Sequence, residues 1–209
     1  MSEQEPLGSS GLPVVETFHS LQGEGIHAGR SAFFIRLGGC TVGCSWCDTK
    51  HSWPVAAHPQ QSPEALADAA AQAADAGAAF VVITGGEPLH HNLDPLCAAI
   101  RQRCALPIHL ETSGVDPLSG APDWVSLSPK RHQPPRAELL QRCDELKVVV
   151  HDAADLLFAE VSASQAPQAT WLLQPGWDCR EGQALALEFV QARPRWRLSL
   201  QSHKWLGVR

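Results

Sequence analysis

The sequence predicts an α/β fold, an incomplete (open) β/α barrel that is shorter than a full eightfold barrel. Three observations support this prediction. Short apolar segments alternate regularly with helical segments, as in folds whose parallel strands are joined by helices. Polar, glycine or proline residues follow the strand segments, where such folds place their loops and ligands. The chain has 209 residues, whereas a complete eightfold barrel usually needs about 250.

The strand and helix segments follow one another in a regular order. The first predicted strand, AFFIRL (32–37), ends in two glycines, and a helix over 62–77 follows it. That helix has clear end signals, with Ser62 as N-cap, Pro63 at the first helical position and Gly77 as C-cap. The further strands span 80–84, 107–112, 124–128, 145–150, 170–174 and 196–201, and the further helices span 93–104, 152–160 and 180–192. The continuous apolar character of the strands predicts a parallel sheet covered on both faces.

Composition and charge indicate a soluble globular protein. Hydrophobic residues make up 44% of the chain, charged residues make up 18%, and the net charge is -6. The acidic balance argues against a surface that coats nucleic acid. The longest apolar runs are far shorter than the roughly 20 residues of a membrane span, and the first residues lack the pattern of a secretory signal. We expect a cytoplasmic protein with no membrane partner, a disordered tail over 1–12 and a single domain over 13–209.

Three of the seven cysteines lie close together, at Cys40, Cys44 and Cys47, directly after the first predicted strand. An odd number of cysteines suits a reducing compartment and metal ligation better than disulfides. His51 extends the spacing to C-x3-C-x2-C-x3-H, which fits tetrahedral zinc. An iron–sulfur cluster would use the three cysteines alone and leave one iron open for a small ligand. The position at a strand end, where ligands bind, favours the cluster over a closed zinc site.

Two motifs and several longer segments resemble a known family. The motif C-x3-C-x2-C with Trp46 before the last cysteine, and GGEP at 85–88, resemble the two signatures of the radical S-adenosylmethionine superfamily. The chain also resembles the 7-carboxy-7-deazaguanine synthase family within it. The segments that match are ETFHSLQGEG (16–25), GRSAFFIRLGGC (29–40), CSWCDT (44–49), TGGEP (84–88), ETSG (111–114), SPK (128–130), ELKVV (145–149), LQP (173–175) and RLSLQSHKWLG (197–207). The resemblance implies an open barrel of the radical S-adenosylmethionine type, formed by a single catalytic domain over 13–209.

The resemblance implies a [4Fe–4S] cluster and S-adenosyl-L-methionine as cofactors. Cys40, Cys44 and Cys47 would ligate three irons, and the amino and carboxylate groups of S-adenosylmethionine would chelate the fourth. Glycine at position 86 permits close backbone approach to the cofactor, and Glu87 would accept from its ammonium group. The residues expected to contact S-adenosylmethionine are Trp46, Cys47, Asp48, Gly86, Glu87, Ser128, Pro129, Lys130, Gln174, Pro175, Gly176 and Trp177.

The resemblance also implies the substrate 6-carboxy-5,6,7,8-tetrahydropterin. Arg36 suits recognition of its carboxylate, since an arginine within an apolar strand needs a partner. Glu24 would accept from the amino and ring N–H groups, whereas Glu111 is either a substrate contact or a buried structural carboxylate. The residues expected around the substrate are Leu21, Gln22, Gly23, Glu24, Arg36, Thr84, Glu111, His203 and Arg209. Arg209 would either contact substrate through its terminal carboxylate or fray, and Thr49 would ligate Mg2+.

The implied reaction is a radical ring contraction of the pterin to 7-carboxy-7-deazaguanine, with loss of ammonia, in queuosine or deazapurine biosynthesis. An electron donor such as flavodoxin or ferredoxin and a homodimer are expected partners. Two alternatives stay open, a zinc-binding structural module and another radical S-adenosylmethionine enzyme such as an activase. The pair His90–His91 departs from the family pattern and is interpreted as a surface loop.

Overall fold

A computed structural model describes residues 11–209. Within them, nine strands form an open sheet in which most neighbours run parallel. The strands are β1 (Leu12–Leu21), β2 (Ser31–Leu37), β3 (Gln60–Gln61), β4 (Val81–Gly85), β5 (Ile108–Thr112), β6 (Trp124–Leu127), β7 (Glu145–Val150), β8 (Thr170–Pro175) and β9 (Trp196–Leu198). They pair in the order β3-β1-β2-β4-β5-β6-β7-β8-β9. The sheet has two free edges at β3 and β9, so the predicted open barrel is confirmed.

Helices connect most of the parallel strands, and a last helix follows β9. They are α1 (Pro63–Asp75), α2 (Asp94–Arg103), α3 (Ala137–Arg142), α4 (Ala153–Gln165), α5 (Arg180–Ala192) and α6 (Ser202–Leu206), with short 3-10 turns at Lys50–Ser52, Val55–Ala57 and Pro88–His90. The predicted start of α1 is confirmed, because the Ser62 side chain accepts a hydrogen bond from the Ala65 amide at 3.2 Å and Pro63 occupies the first helical position. None of the helices described within residues 11–209 is long and apolar enough to cross a membrane.

One edge of the sheet differs from the prediction of a wholly parallel sheet. Strand β1 pairs antiparallel with β2, and β3 pairs antiparallel with β1. The connection over 22–30 is short, and antiparallel strands can be joined by such a loop, whereas parallel strands need a long crossover. The helices α3 and α6 lie outside the predicted set, and β9 ends three residues before its predicted end. The predicted tail over 1–12 lies mainly outside the described residues, and Leu12 already begins β1.

The two faces of the sheet have different coverings, whereas the sequence predicted only that both faces would be covered. Buried side chains of α1 to α5 form one large apolar core with alternate residues of the strands, such as Ile35, Leu37 and Ile83. Successive residues of a strand point to opposite faces, so the intervening residues face inwards. Those inward residues include Phe34 and Val82 in a second, smaller cluster. The inner face is therefore free to carry a binding site.

Aromatic and imidazole rings fill the inner face near the amino-terminal ends of the strands. The ring of His109 stacks on Phe80 at 4.1 Å, and His27 lies 4.7 Å from His109 and 4.6 Å from Trp124. Burial, followed by the nearby charge of His27, lowers the pKa of His109 to about 4. Burial also lowers the pKa of His27, so both imidazoles in this layer are neutral at neutral pH.

Candidate active site

Two adjoining cavities lie at the carboxyl-terminal ends of the parallel strands. The larger has a volume of about 430 Å³ and the smaller about 140 Å³. The larger is lined by Leu21, Gln22, Gly23, Glu24, Arg36, Cys44, Trp46, Cys47, Asp48, Thr49, Thr84, Glu111, Ser128, Lys130, Gln174, Gly176, Trp177, His203 and Arg209, all of which the sequence predicted for the site. The smaller adds Cys40, Gly86 and Glu87. Of the predicted site residues, Pro129 and Pro175 line neither cavity.

The period of the strands explains how distant residues meet in the larger cavity. Arg36, Thr84 and Glu111 occupy inward positions near the ends of β2, β4 and β5, and Lys147 and Gln174 do so on β7 and β8. The parallel register aligns Arg36 with Thr84 and places Val149 beside Gln174. Each of these strands reads as mostly apolar in sequence because its outward residues are buried under helices. One polar inward residue per strand is enough to build the site.

The loop that follows β2, residues 38–53, carries the three cysteines, and we call it the cysteine loop. Gly39 and Gly43 adopt positive φ angles of 100° and 71°, which favour glycine. A Cβ atom at Gly86 would lie 2.3 Å from the Gly39 carbonyl oxygen and 2.9 Å from the Cys40 Cβ. The GGEP segment therefore packs its bare backbone directly against the cysteine loop.

The donor set of the smaller cavity fits a three-cysteine cluster better than zinc. Cys40, Cys44 and Cys47 are free thiols that all line this cavity. His51, the fourth ligand of the zinc alternative, is not among the residues that line either cavity. Burial raises the pKa of the Cys40 and Cys44 thiols, and binding to iron would favour the thiolate instead.

Glu87 fastens the GGEP segment to the end of β5. Its carboxylate is 1% exposed and accepts from the Thr112 hydroxyl at 2.5 Å, from the Ser113 amide at 2.7 Å and from the Leu89 amide at 3.1 Å. The Ser113 hydroxyl donates as well. Four donors therefore bind this carboxylate, and its expected role as acceptor for the ammonium group of S-adenosylmethionine stays a prediction. Glu87 thus holds the edge of the smaller cavity in place.

A second carboxylate, Glu111, joins the substrate-side residues into one network. The Gln22 side-chain amide donates to Glu111 Oε1 at 2.9 Å, and the Thr84 hydroxyl donates to Oε2 at 2.9 Å. The Gln22 Oε1 atom in turn accepts from the Glu24 amide at 3.0 Å. Glu111 therefore has a structural role and also borders both cavities.

Glu24 forms a buried ion pair with Lys147, whose role sequence reasoning missed. The Lys147 ammonium donates to Glu24 Oε2, and the Gln201 amide donates to Oε1 at 2.8 Å. Burial alone would raise the pKa of Glu24, but the charge and hydrogen bonds of its partners lower it to about 2. Glu24 is therefore ionised at neutral pH. A lysine within the apolar run ELKVVV is the same kind of signal as the arginine within FFIRL.

Glu16, Arg36 and Arg209 form a charged cluster beside the larger cavity. Glu16 on β1 accepts from Arg36 at 3.0 Å and from Arg209 at 3.1 Å. The Ser20 hydroxyl donates to the terminal oxygen of Arg209 at 2.5 Å. Arg209 is thus tied to β1 by its side chain and by its terminus. Its own side chain is 73% exposed.

The helix α6 packs across the LQGEG segment. A Cβ atom at Gly23 would lie 2.1 Å from His203 Nδ1, so only glycine fits beneath this ring. Lys204 donates to Asp48 at 2.6 Å and lies 5.0 Å from the centre of the Trp177 ring. The QSHK segment therefore links the substrate-side residues to the cysteine loop. The sequence analysis had named only His203 of this segment as a site residue.

The remaining predicted residues lie at the ends of β6 and β8 and in the loops that follow these strands. Lys130 donates to the backbone oxygen and the hydroxyl of Ser128 at 2.8 and 2.7 Å, and burial lowers its pKa. The side chain of Gln174 accepts from Ser199 at 2.8 Å. A Cβ atom at Gly176 would lie 2.4 Å from His151 Nε2. His151, which the sequence did not predict, packs against Trp46 with 4.7 Å between ring centres.

Comparisons with known proteins agree with this geometry. A model of the radical SAM superfamily matches residues 34–147. The 7-carboxy-7-deazaguanine synthase of Prochlorococcus marinus is 54% identical over 96% of this chain and 99% of its own length. That of Escherichia coli is 35% identical over 94% of this chain and 98% of its own length. The crystal structure of QueE from Escherichia coli matches with a TM-score of 0.78 and 33% identity, covering 92% of this chain and 94% of that one. The chain therefore belongs to the radical S-adenosylmethionine superfamily and, within it, to the 7-carboxy-7-deazaguanine synthase family.

Proposed function

We propose that the protein is a 7-carboxy-7-deazaguanine synthase that converts 6-carboxy-5,6,7,8-tetrahydropterin to 7-carboxy-7-deazaguanine with loss of ammonia, in queuosine or deazapurine biosynthesis. One observation carries this proposal. The smaller cavity, which contains the three cysteines, and the larger cavity have six lining residues in common. These are Cys44, Cys47, Thr49, Gly85, Glu111 and Lys130. S-adenosylmethionine held beside the cysteines would therefore adjoin a substrate in the larger cavity.

Membership of the superfamily implies a [4Fe–4S] cluster and S-adenosylmethionine. When bound, they supply the carbon radical that removes a hydrogen atom from the substrate. Cys40, Cys44 and Cys47 would hold the cluster at the smaller cavity. Gly86 leaves room beside it, and Glu87 keeps the GGEP segment rigid through its four hydrogen bonds. Trp46, Asp48, Ser128, Lys130, Gln174, Gly176 and Trp177 would surround S-adenosylmethionine, with Pro129 and Pro175 shaping the adjacent backbone.

The polar groups of the larger cavity match the chemistry of a carboxylated pterin. An ionised carboxylate accepts two parallel hydrogen bonds from a planar amidine-like edge, and Glu24 is ionised because its pKa is about 2. Arg36, which also donates to Glu16 at 3.0 Å, would bind the carboxylate at the opposite end of the pterin, and Arg209 would contact the substrate through its backbone carboxylate. Leu21, Gln22, Gly23, Thr84, Glu111 and His203 would complete the wall around the ring.

We further propose that Thr49 is a ligand of Mg2+. Its hydroxyl lies 3.5 Å from the Cys47 sulfur, and the residue borders both cavities. Mg2+ prefers oxygen ligands and keeps several from water and substrate. A single protein hydroxyl beside a substrate carboxylate would be sufficient to hold the ion between the two cavities.

Four further proposals follow from family membership. Residues 13–209 would act as one catalytic domain. The protein would act as a homodimer in the cytoplasm. A flavodoxin or ferredoxin would deliver the electron that starts each turnover. We also propose that the protein has no nucleic-acid partner, because the chain is acidic, with a net charge of -6.

The test is an anaerobic assay with the full chain. The protein is reconstituted with iron and sulfide and given S-adenosylmethionine, dithionite, Mg2+ and 6-carboxytetrahydropterin, and products are followed by mass spectrometry. We expect 7-carboxy-7-deazaguanine from the wild type and from Cys104→Ala, a matched cysteine control outside the site, but none from Cys44→Ala. Cleavage of S-adenosylmethionine with an unchanged pterin would overturn the proposed substrate. Copurified zinc without any cluster would overturn the whole proposal.

A further inference from the structure

Four histidine rings from outside the cysteine motif bond to the backbone of the cysteine loop. His91 Nε2 lies 2.7 Å from the Gly38 oxygen, and His132 Nε2 lies 2.9 Å from the Val42 oxygen. His58 Nε2 lies 3.0 Å from the oxygen of His51. On the other side, the Thr41 amide donates to His90 Nε2 at 3.1 Å. His90 and His91, which the sequence analysis interpreted as part of a surface loop, are half-buried, and both rings bond to the cysteine loop.

The backbone partner decides the protonation of each ring nitrogen. A carbonyl oxygen only accepts, so His91 and His132 must carry a proton on Nε2. A backbone N–H only donates, so His90 Nε2 must be bare. In the neutral ring the proton of His90 then lies on Nδ1, where it donates to the Asp116 carboxylate. Neighbouring residues His90 and His91 thus hold opposite tautomers, each fixed by a different part of the same loop.

The contact from His90 lies next to a cluster ligand. Thr41 directly follows Cys40, and its hydroxyl also lies 3.0 Å from His90 Nε2. The chain Asp116–His90–Thr41 therefore orients the peptide unit beside that thiol. A carboxylate that orients a histidine is a common way to support a metal site, although such histidines usually bind the metal directly. Here the histidine acts through the backbone.

The loop has little regular structure of its own to replace these contacts. Its amides bond mainly at its two ends, with Gly39 donating to the Ser52 oxygen at 2.7 Å and Cys40 to the Trp53 oxygen at 3.1 Å. The central part contains Gly43 at positive φ, and glycine lowers the cost of alternative conformations. His132 supports this part from one side and also packs edge-on against Trp46, with 5.6 Å between ring centres.

We propose that His90, His91 and His132 are positioning residues that hold the cysteine loop ready to bind the cluster and then retain it. This inference rests on the proposed function, because it assumes that the three thiols bind a cluster. It goes beyond that function because it assigns the loop conformation to hydrogen bonds between the loop and three histidine rings. Asp116 contributes by orienting the ring of His90. The loop should be ordered in the metal-free protein as well.

The experiment compares a variant that lacks the hydrogen bond with one that restores it. His91→Leu removes the donor to Gly38, whereas the amide of His91→Gln can still donate. His90→Leu removes the acceptor for Thr41, whereas the oxygen of His90→Gln can still accept. His19→Leu is the matched control. The His19 ring forms a 2.7 Å hydrogen bond with the Ser31 hydroxyl, and neither residue belongs to the cysteine loop. The readouts are the rate of iron loss from the reconstituted full chain to a chelator, and hydrogen exchange of residues 38–48 in the metal-free full chain.

We expect iron loss about fivefold faster in each leucine variant, the factor that one neutral hydrogen bond sets, and near wild-type rates in the glutamine variants and in the control. Loop amides should exchange faster in the leucine variants alone. Equal iron loss and exchange in all variants would overturn the inference while leaving the proposed function intact. Equal damage from leucine and glutamine would overturn the assignment to hydrogen bonds. If the wild type binds no cluster, the proposed function fails, and the exchange data alone then decide whether the rings position the loop.

Discussion

Replacing Glu24 with glutamine should destabilise the protein and weaken pterin binding, because Lys147 would lose its charged partner. The Lys147 side chain is 6% exposed and the Glu24 side chain 17%. Removing one partner of a buried ion pair leaves the other charge without compensation. The Gln201 amide also donates to Glu24 and can still reach a glutamine oxygen. The loss should therefore come mainly from the ion pair.

The pKa of Glu24 gives the size of the effect. The pKa moves from 4.5 to about 2 on folding, and each pKa unit corresponds to about 1.4 kcal/mol. The ionised carboxylate therefore contributes about 3 kcal/mol to the free energy of unfolding at neutral pH. Because the pKa is lower in the folded state, this contribution is complete above pH 4.5. It is lost as the pH falls from 4.5 towards about 2.

A double-mutant cycle with Lys147→Met measures this contribution. Urea unfolding at pH 7 should show that Glu24→Gln loses about 3 kcal/mol and that the double variant recovers most of the loss, since a neutral pair leaves no buried charge. Glu160→Gln is the control, because Glu160 and its partner Arg193 are both 45% exposed, and it should lose under about 1 kcal/mol. The reasoning would be refuted if the losses of Glu24→Gln and Lys147→Met summed to the loss of the double variant within about 0.5 kcal/mol. The reasoning would also be refuted if the difference in free energy of unfolding between the wild type and Glu24→Gln were the same at pH 3 as at pH 7.

Three further changes test other parts of the site. Gly86→Ala would place a Cβ 2.3 Å from the Gly39 oxygen, so reconstituted protein should hold much less iron by chemical assay, and normal iron content would contradict this packing. Thr49→Val should keep the cluster, measured by its absorbance, but lose most of the rise in turnover that Mg2+ gives; an unchanged response to Mg2+ would remove Thr49 as a ligand. The pKa of His109 is lowered to about 4 by burial, so the free energy of unfolding should rise with pH between about 4 and 6.5. His109→Phe, which can still stack on Phe80, should flatten this rise in urea unfolding, and an equal slope in both proteins would contradict it.

Most of the fold could be predicted because its signals are local. Each of the seven parallel strands appears in the sequence as a short apolar run. Four of the helices also have signals confined to a few neighbouring positions, such as the capping residues Ser62 and Pro63 of α1. Strand β1 could not be placed in this way. Its residues Leu12 and Val14 are buried, but most of the following residues are half-exposed, since it lies near an edge of the sheet. Its pairing with β2 depends on contacts that a single strand does not encode.

The site was predicted where function needs a fixed local spacing. The cysteine motif and GGEP are each confined to a short segment, and both border the smaller cavity. The ion pair of Glu24 with Lys147 joins residues 123 positions apart, and the contact of His132 with Val42 joins residues 90 apart. Neither partner in such a pair has a local pattern that names the other. Their chemistry becomes visible only when the strands align.

A charged residue inside an apolar strand is also a local signal, and the chain carries it at two places. Burying an unpaired charge is costly, so Arg36 in FFIRL and Lys147 in ELKVVV each require a partner or a cavity. Both lie on inward positions of the same sheet, and Lys147 is the more buried of the two. The argument that assigns Arg36 to the site therefore applies at least as strongly to Lys147. The amino-acid sequence alone implies that Lys147 has an acidic partner, but only the alignment of β7 with the LQGEG segment identifies that partner as Glu24.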